Sequence, residues 1–387
     1  MENPSWEDEV TSKERMLTAM RNGVPDRVPV APDMSNMIPC KLTGKPFWDI
    51  YLYHDPPLWR AFIDAVKHFG VEGWLPGSVP IEFDYQVEER NAGPQWKQAI
   101  VARTDERIYT RYHCSENGKE QWTDWCTVYY IADPPTGCVA LDKVGLPHGP
   151  PDEWEDVEPR THYPGMTALD KANELMGDDG VVGPAVGMPG LSLAPESVYE
   201  YYDSPEVVIE RCEKQREAIV RQAKAILELK PDYLLIGASG HMINNPEPIF
   251  RKLSLPTLKD VTALAKAADI PSQIHCCGPE YDLVRIAAEE TDLSSINPLE
   301  MRPMGDCDLA QVKKQFGSKI SLMGNLHTTD TMLRGSPEDV RRASKIAIDA
   351  AAEGGGFILS TGDQCPRDTP EENILAMLEA ARDYGQY

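Results

Sequence analysis

The sequence predicts an α/β protein: a (β/α)₈ TIM barrel with an antiparallel β insertion between strands 2 and 3. Two observations predict this fold. Eight short apolar runs are spread along the 387 residues, and plausible helices separate most of them, which is the alternation of a parallel α/β protein. Between the second and third runs lie about a hundred residues, which is far longer than an ordinary connection between a strand and a helix.

The eight apolar runs are the candidate barrel strands. They lie at 28–32, 71–76, 181–188, 232–238, 272–277, 294–298, 320–326 and 357–361. Start signals mark several of the helices between them. In Thr11-x-x-Glu14, Ser336-Pro337-x-Asp339 and Thr369-Pro370-x-Glu372, a hydroxyl can cap free backbone N–H groups and an acid can meet the positive helix end.

The long segment has the pattern of a β-rich insertion, which we place at 80–165 within a single domain covering 1–387. Residues 100–112 and 121–131 alternate and are rich in Tyr, Trp, Thr and Val, as in half-buried strands. Asn117-Gly118 lies between them and is a strong hairpin turn signal. Its aromatic side chains would suit either a cover over a pocket or simple packing on the barrel.

Charge and composition restrict the partners. The 62 acidic and 38 basic residues give a formal charge of −24, which repels nucleic acid and anionic membrane. No apolar stretch is long enough to span a membrane, and the acidic start of the chain lacks the order of a signal peptide, so we expect a cytoplasmic protein. The nine cysteines are an odd number and widely scattered, which favours reduced thiols.

Polar residues cluster where the predicted strands end. In such barrels the carboxyl ends of the strands and the loops after them form the active face. The residues there are Asp33 and Asn36, Ser239 and His241, His275 and Cys277, Asn297 and Glu300, Asn325 and His327, and Asp363 and Cys365.

His275-Cys276-Cys277-Gly278 is the most informative group. In a strand, residues i and i+2 face the same side, so His275 and Cys277 should lie together with Cys276 opposite. A nitrogen and a sulfur donor at a barrel mouth suit Zn²⁺, and the absence of any Cys-x-x-Cys pair favours a catalytic over a structural site. Cys365 is a third donor if its loop folds across the mouth. The same residues would also suit a barrel interior without metal.

The motifs resemble the uroporphyrinogen decarboxylase superfamily. The motifs that carry the resemblance are Glu14-Arg15-Met16, Asp26-Arg27-Val28-Pro29-Val30, His275-Cys276-Cys277-Gly278, Asn297-Pro298-Leu299-Glu300, Gly324-Asn325 and Thr369-Pro370-Glu371-Glu372-Asn373-Ile374. They cover most of the predicted barrel and leave the insertion without a match.

Within that superfamily, the His-x-Cys and distal Cys combination is similar to the corrinoid-dependent methyltransferases of the methylcobalamin:coenzyme M type. The resemblance implies zinc held by His275, Cys277 and Cys365, and cobalamin supplied by a partner corrinoid protein. Glu300 is the candidate exchangeable fourth ligand, although an acid at a helix start is an equally good interpretation. The chain has no Asp-x-His-x-x-Gly segment of the cobalamin-binding type.

The resemblance leaves the direction of methyl transfer open. Zinc either activates an acceptor thiol toward methylcobalamin or polarises a methylated donor such as an aryl methyl ether, as in O-demethylation. His241 and His327 are candidate proton donors or orienting groups, with a place on the cavity rim as the alternative. Candidate substrate-binding residues are Asp33, Asn36, Ser239 and Asn325. A homodimer is left open.

Two other functions stay as alternatives. Uroporphyrinogen decarboxylation needs no metal but uses an arginine-rich loop after the first strand, where this chain has Asp33-Met34-Ser35-Asn36-Met37. A non-catalytic subunit that docks a corrinoid protein is the other, and the intact set of zinc donors argues against it.

Overall fold

The computed structural model describes residues 10–116 and 118–387. The chain divides into two compact units. The first comprises the described residues up to Asp33 together with Val66–Ser78 and Met176–Tyr387, and the second comprises Met34–Ala65 and Val79–Leu175. The predicted insertion at 80–165 falls within the second unit, and the single-domain assignment stays a prediction.

Strands and helices alternate along most of the first unit, whereas the second is richer in short strands. In chain order, the strands are β1 Gly73–Pro76, β2 Lys97–Arg103, β3 Arg107–Glu116, β4 Lys119–Trp122, β5 Trp125–Tyr130, β6 Thr136–Ala140, β7 Glu155–Asp156, β8 Gly180–Gly183, β9 Ala185–Val186, β10 Leu234–Gly237, β11 Ser272–His275, β12 Ser295–Asn297, β13 Ser321–Leu326 and β14 Phe357–Thr361. The helices are α1 Ser12–Met20, α2 Met37–Leu42, α3 Phe47–Tyr51, α4 Leu58–Phe69, α5 Asp84–Ala92, α6 Leu141–Val144, α7 Thr167–Met176, α8 Pro195–Asp203, α9 Pro205–Glu228, α10 His241–Asn244, α11 Glu247–Leu253, α12 Leu255–Ala267, α13 Tyr281–Glu290, α14 Leu309–Phe316, α15 Pro337–Ala351 and α16 Glu371–Tyr384. No helix among these described residues combines the length and the apolar composition needed to cross a membrane.

The first unit is built on parallel strands. One sheet runs in the order β14-β13-β12-β11-β10-β9, and β1 pairs with β8. Only Pro184 separates β8 from β9, and its carbonyl accepts a hydrogen bond from Leu235 N at 2.9 Å. Neighbouring strands are therefore consecutive along the chain, which is the order that a (β/α)₈ barrel requires.

The first predicted strand, 28–32, forms only an isolated parallel bridge between Val30 and Leu359. Pro29 and Pro32 flank the bridge and have no N–H to donate, so a regular ladder cannot extend. Val30 O still accepts from Glu72 N at 2.9 Å, just before β1. The segment thus hydrogen-bonds toward both β14 and β1 without being a strand.

The core of the first unit lies between these strands and α1. Met16 and Met20 of α1 pack in one buried cluster with Trp74, Tyr233 and Met323. Each large apolar side chain taken out of water stabilises the fold by roughly 1.5–3 kcal/mol. Trp74 also satisfies its indole nitrogen, which donates to Gln273 Oε1 at 2.7 Å.

The second unit contains an antiparallel sheet in the order β6-β5-β3-β2-β7, with β4 paired to β3. The prediction of one strand at 100–112 was wrong, because a turn divides this run into β2 and β3. Thr104 builds the turn, since its hydroxyl accepts from Glu106 N at 3.3 Å and Arg107 N at 3.0 Å. Asn117 of the predicted hairpin turn lies outside the described residues.

Candidate metal centre

The most informative strand end is that of β11. His275 is its last residue, and Cys277 follows two positions later. A ring nitrogen of His275, Cys277 Sγ and a carboxylate oxygen of Asp363 all lie within 4.8 Å of one another. Among the described residues, this is the group of His, Cys, Asp and Glu donors whose spacing could hold a metal ion.

One of the donor distances matches the spacing of zinc ligands. Donors about 2.0–2.3 Å from a tetrahedral zinc lie about 3.3–3.8 Å from each other. The separation of His275 Nε2 from Asp363 Oδ1 is 3.7 Å. Burial, together with the negative charge of Asp363, raises the pKa of Cys277 to about 11. A divalent cation would offset that repulsion, so the chemistry of the group suits one.

Asn297 contacts the other ring nitrogen of His275, Nδ1. Its side-chain nitrogen lies 3.2 Å from His275 Nδ1, and its Oδ1 is buried without a hydrogen-bond partner among the described residues. The two ends of an amide are interchangeable in shape. With the oxygen toward the ring, His275 is protonated at Nδ1 and its Nε2 lone pair faces Cys277 and Asp363, as a metal ligand requires.

Asp363 reaches the site through the bend after β14. Its backbone has φ +87°, a left-handed conformation that a non-glycine residue rarely adopts. Thr361 fixes this bend, because its hydroxyl donates to Asp363 O at 2.8 Å and accepts from Asp33 N at 3.0 Å. The sequence marked Asp363 only as a residue near Cys365, and the backbone bend that makes it a donor has no clear sequence signal.

Cys365 is not a member of this group. Its side chain is fully buried, its sulfur lies 3.9 Å from Thr361 Oγ1, and its backbone N–H donates to Asp33 O at 2.8 Å. Burial raises the pKa of its thiol to about 12, with Asp33 and Asp363 adding to the effect. The ligand role that the resemblance implies for Cys365 stays a prediction.

Glu300 lies beside the donors. Its carboxylate accepts from Gly278 N at 2.5 Å, so the residue after Cys277 holds it in place. Burial and the charge of Asp363 raise the pKa of Glu300, while His275 lowers it. Beneath it, Glu280 is fully buried and accepts from Leu299 N at 2.7 Å, and burial raises its pKa well above the ordinary range. Sequence reasoning did not find Glu280, because nothing in its spacing distinguishes it from an exposed acid before a helix.

His241 is neutral and already engaged. Ser254 Oγ donates to Pro189 O at 2.8 Å, so it accepts from His241 Nε2, also at 2.8 Å. Burial lowers the pKa of His241 to about 4. A neutral ring whose N–H is hydrogen-bonded has no proton free for a leaving group. The predicted role of His241 as a proton donor therefore has no support in this geometry.

His327 uses its Nδ1 atom as a hydrogen-bond acceptor from the backbone. Its Nδ1 accepts from Thr329 N at 3.2 Å and Asp330 N at 3.0 Å, which leaves Nε2 as the N–H of the ring, 3.9 Å from Asp330 Oδ2. His327, Glu300 and Asn325 line one small cavity with Gly362. Asn325 itself donates to Leu299 O at 3.0 Å, which supports the turn that carries Glu300.

The remaining predicted substrate-binding residues have different surroundings. Asp33 is buried and contributes its backbone to the loop after β14. The Ser239 hydroxyl hydrogen-bonds Cys277, which lowers the pKa of that thiol. Asn36 belongs to the second unit and precedes α2 without capping it through its side chain.

Comparison with known proteins identifies the class. Residues 195–384 match the family Uroporphyrinogen decarboxylase (URO-D), so this part of the chain is a domain of that family, as its motifs predicted. The chain is also homologous to corrinoid:CoM methyltransferases of Methanosarcina. Over 168 residues it is 28% identical to the Methylcobamide:CoM methyltransferase MtbA of Methanosarcina mazei, which is 43% of this chain and 46% of that protein.

Two further proteins are similar to this chain. The Uroporphyrinogen decarboxylase of Thermosynechococcus vestitus is 27% identical over 128 residues, covering 33% of this chain and 34% of that one. A solved methyltransferase from Methanosarcina mazei superposes with a TM-score of 0.61 over 97% of this chain and 99% of its own, at 18% identity, which shows the fold. The matched region covers less than half the length of each of these two curated relatives.

Proposed function

We propose that this protein is a zinc-dependent methyltransferase that moves a methyl group between a small molecule and the cobalamin of a partner corrinoid protein. The single observation that carries the proposal is the grouping of His275, Cys277 and Asp363 donor atoms within 4.8 Å. Homology to methylcobamide:CoM methyltransferases supports the methyl-transfer part. The consecutive order of parallel strands supports the further proposal that the first unit is a closed (β/α)₈ barrel.

The residues of the site have separable tasks in this proposal. Bound zinc would supply Lewis-acid activation of a thiol or an ether oxygen. His275 and Cys277 hold the ion, and Asn297 fixes the imidazole tautomer. Gly278 N–H keeps the Glu300 carboxylate beside the donors, as an exchangeable ligand or a proton carrier. His327 presents an Nε2–H that can donate a hydrogen bond to a leaving oxygen.

Metal analysis and a methyl-transfer assay test the proposal together. We expect the purified full chain to contain zinc and to demethylate free methylcobalamin in the presence of a thiol, or to methylate reduced cobalamin from an aryl methyl ether. Cys277→Ala and His275→Ala should lose both metal and activity. Cys276→Ala is the matched control, because its buried thiol is not among the grouped donors. Full metal content and activity in Cys277→Ala would overturn the proposal, as would metal-free decarboxylation of uroporphyrinogen.

A second measurement identifies the third donor. Asp363 has the required distance, whereas Cys365 is implied by the family resemblance. In the cobalt-substituted protein, each thiolate ligand contributes to the sulfur-to-cobalt charge-transfer absorption. If Cys365→Ala leaves that absorption unchanged and Asp363→Ala lowers metal affinity, Asp363 is the ligand. A loss of about half the absorption in Cys365→Ala assigns the cysteine instead.

A further inference from the structure

Glu280 carries a buried carboxyl group that no step of the proposed function uses. It lies three residues after Cys277 and directly before α13. The side chain is fully buried, and its Oε2 accepts from Leu299 N at 2.7 Å. Its other oxygen, Oε1, has no hydrogen-bond partner among the described residues. A carboxyl group buried with one oxygen unpaired costs free energy, so a contribution to stability does not account for its presence.

The hydrogen bond to Glu280 holds a residue that has an unfavourable backbone conformation. Leu299 has φ +60°, in the left-handed region, which costs a non-glycine residue roughly 1–2 kcal/mol. Side chains bind both polar groups of its backbone: its N–H donates to Glu280, and its carbonyl accepts from Asn325 Nδ2 at 3.0 Å. Such a conformation persists only where the surroundings hold it. Glu280 and Asn325 therefore keep Leu299 in place together.

Glu300 follows Leu299 directly, so the backbone of Leu299 determines where the Glu300 carboxylate lies. That carboxylate accepts from the N–H of Gly278, the residue after Cys277, at 2.5 Å. The carbonyl of Glu300 accepts from Cys307 N at 3.0 Å. The turn is thus bound to the segment that follows β11 and to the loop that precedes α14.

The loop before α14 comes unusually close to both segments. A Cβ placed on Gly305 would lie 2.3 Å from Glu300 O and 2.7 Å from Gly278 O, so only glycine fits there without a shift of the backbone. The next residue, Asp306, accepts from Glu280 N at 2.8 Å. Glu280 is therefore bound to this loop through its backbone and to the turn through its side chain.

We propose that Glu280 is a positioning residue whose carboxyl group, through the N–H of Leu299, holds the carboxylate of Glu300. Glu300 thereby stays against Gly278 N–H and beside Cys277. The inference rests on the proposed function, in which Glu300 is an exchangeable ligand or a proton carrier. A displacement of about 1 Å at a reacting group lowers a rate by about 100-fold, so the loss of this hydrogen bond should be visible in catalysis.

Hydrogen exchange followed by mass spectrometry tests whether Glu280 holds the turn. The measurement uses the metal-free full chain, so it does not depend on the proposed chemistry. In Glu280→Leu the N–H of Leu299 loses its acceptor, and the amides of residues 299–307 should exchange about tenfold faster. Glu280→Gln keeps an acceptor oxygen and should exchange as the wild type does.

Glu72→Gln is the matched control for this measurement. Glu72 is another buried carboxylate that accepts a backbone N–H, from Val30 at 2.7 Å, and it lies before β1. This variant should leave the exchange of residues 299–307 unchanged. Unchanged exchange in Glu280→Leu would overturn the inference, as would equally fast exchange in Glu280→Gln or in the control.

Kinetics test whether the position of the turn matters for the reaction. In the methyl-transfer assay, Glu280→Leu should lower kcat by about 10–100-fold and leave KM nearly unchanged, because the reacting geometry changes and substrate binding does not. Zinc content should stay at the wild-type value, and Glu280→Gln should recover most of kcat. A kcat in Glu280→Gln as low as in Glu280→Leu, or an effect on KM alone, would overturn the positioning role.

Gly305→Ala tests the same turn without altering Glu280. The added Cβ should push the backbone of Glu300 away from Gly278, so kcat should fall and the exchange of residues 299–307 should rise, as in Glu280→Leu. This variant decides the question even where Glu280→Leu does not fold. Wild-type exchange together with wild-type kcat in Gly305→Ala would refute the dependence of the site on this turn.

The two proposals fail in different ways. If methyl transfer requires zinc but Glu280→Leu keeps the full kcat, the proposed function stands and the positioning role is wrong. If the protein contains no zinc and transfers no methyl group, the proposed function is wrong, and hydrogen exchange alone decides whether Glu280 holds the turn. Faster exchange and lower kcat in Glu280→Leu, with both recovered in Glu280→Gln, support both proposals.

Discussion

Asn297 is the residue with the clearest role in preparing a metal ligand without being one. Its side chain faces His275 Nδ1 at 3.2 Å and is buried at the end of β12. We expect Asn297→Ala to lower zinc affinity by about 10–100-fold, because the imidazole loses the partner that fixes its tautomer. Competition with a chromophoric chelator measures the affinity, and Asn297→Asp, which retains an acceptor oxygen, should recover much of it. An unchanged zinc affinity in Asn297→Ala would show that Asn297 does not orient His275.

His241 should make stability depend on pH. Burial lowers its folded pKa to about 4, whereas an unfolded histidine titrates near 6.5. The unfolded chain therefore binds the proton first as pH falls. The contribution is fully present above about pH 6.5 and is lost progressively down to about pH 4, and it amounts to about 3 kcal/mol at most.

Urea denaturation at pH 7 and pH 5 checks this expectation. His241→Gln keeps a nitrogen donor for Ser254 and cannot titrate, so its free energy of unfolding should change less between the two pH values than that of the wild type. His148→Gln is the control, because that side chain is 68% exposed. A wild-type pH dependence that survives His241→Gln undiminished would show that other groups produce it.

For the individual donors, strand alternation was enough to predict that His275 and Cys277 face the same side. It could not decide between Asp363 and Cys365, which lie in one short loop. That choice depends on the positive φ of Asp363 and on the Thr361 hydrogen bonds, which are set by tertiary contacts with Asp33. Local sequence carries little information about such bends.

For the strands and helices, the apolar runs predicted the positions of the strands more accurately than the residues at which the strands begin and end. Seven of the eight predicted runs contain a strand, and the first does not because Pro29 and Pro32 interrupt its hydrogen bonding. Thr11 and Ser336 form the predicted capping boxes. The cap predicted at Thr369 was wrong, because the helix begins after Pro370 and the Thr369 hydroxyl has no partner among the described residues.

A buried ion-pair network joins α1 to the entrance of β1, and no sequence pattern indicated it directly. Arg15 contacts Glu72 at 2.9 Å and Asp26 at 2.7 Å, and Glu72 also accepts from Val30 N at 2.7 Å. The Glu72 side chain is 1% exposed. The resemblance drew attention to Arg15 and Asp26, but Glu72 is distant in sequence and becomes their partner only in the fold.

We expect Arg15→Met to lower the free energy of unfolding by about 3–5 kcal/mol, because it leaves Glu72 buried with one cation fewer. Arg27 still contacts Glu72 at 2.5 Å, so the lower end of that range is expected. Arg60→Met is the control, since its pair with Asp64 is exposed and should contribute less than about 1 kcal/mol. Urea denaturation followed by circular dichroism measures both. Equal effects of the two substitutions would contradict a special role for the buried network.

Across the molecule as a whole, the formal charge of −24 and the acidic side chains at the candidate metal site both repel anions. Long-range repulsion disfavours anionic partners, and Glu300 and Asp363 disfavour anionic groups at the donors. A bound cation lowers the repulsion at the site itself. Metal binding should therefore stabilise the folded chain as well as support chemistry.

Removal of metal tests this coupling. A ligand that binds the folded state alone stabilises it by RT ln(1 + [L]/Kd), which is about 2.7 kcal/mol at a free concentration of 100 Kd. We expect a strong chelator to lower the melting temperature of the zinc-loaded full chain by about 3 °C, since about 1 kcal/mol corresponds to about 1 °C in a chain of 387 residues. Added zinc should restore it.

Two variants make the result specific to the site. In Cys277→Ala the melting temperature should be insensitive to chelator and to zinc, because a donor is missing. In Cys276→Ala the absolute melting temperature can fall, since that side chain is fully buried, but the response to zinc should persist. A zinc response of equal size in both variants would mean that the ion binds elsewhere on this acidic molecule. His275, Cys277 and Asp363 would then not be its ligands.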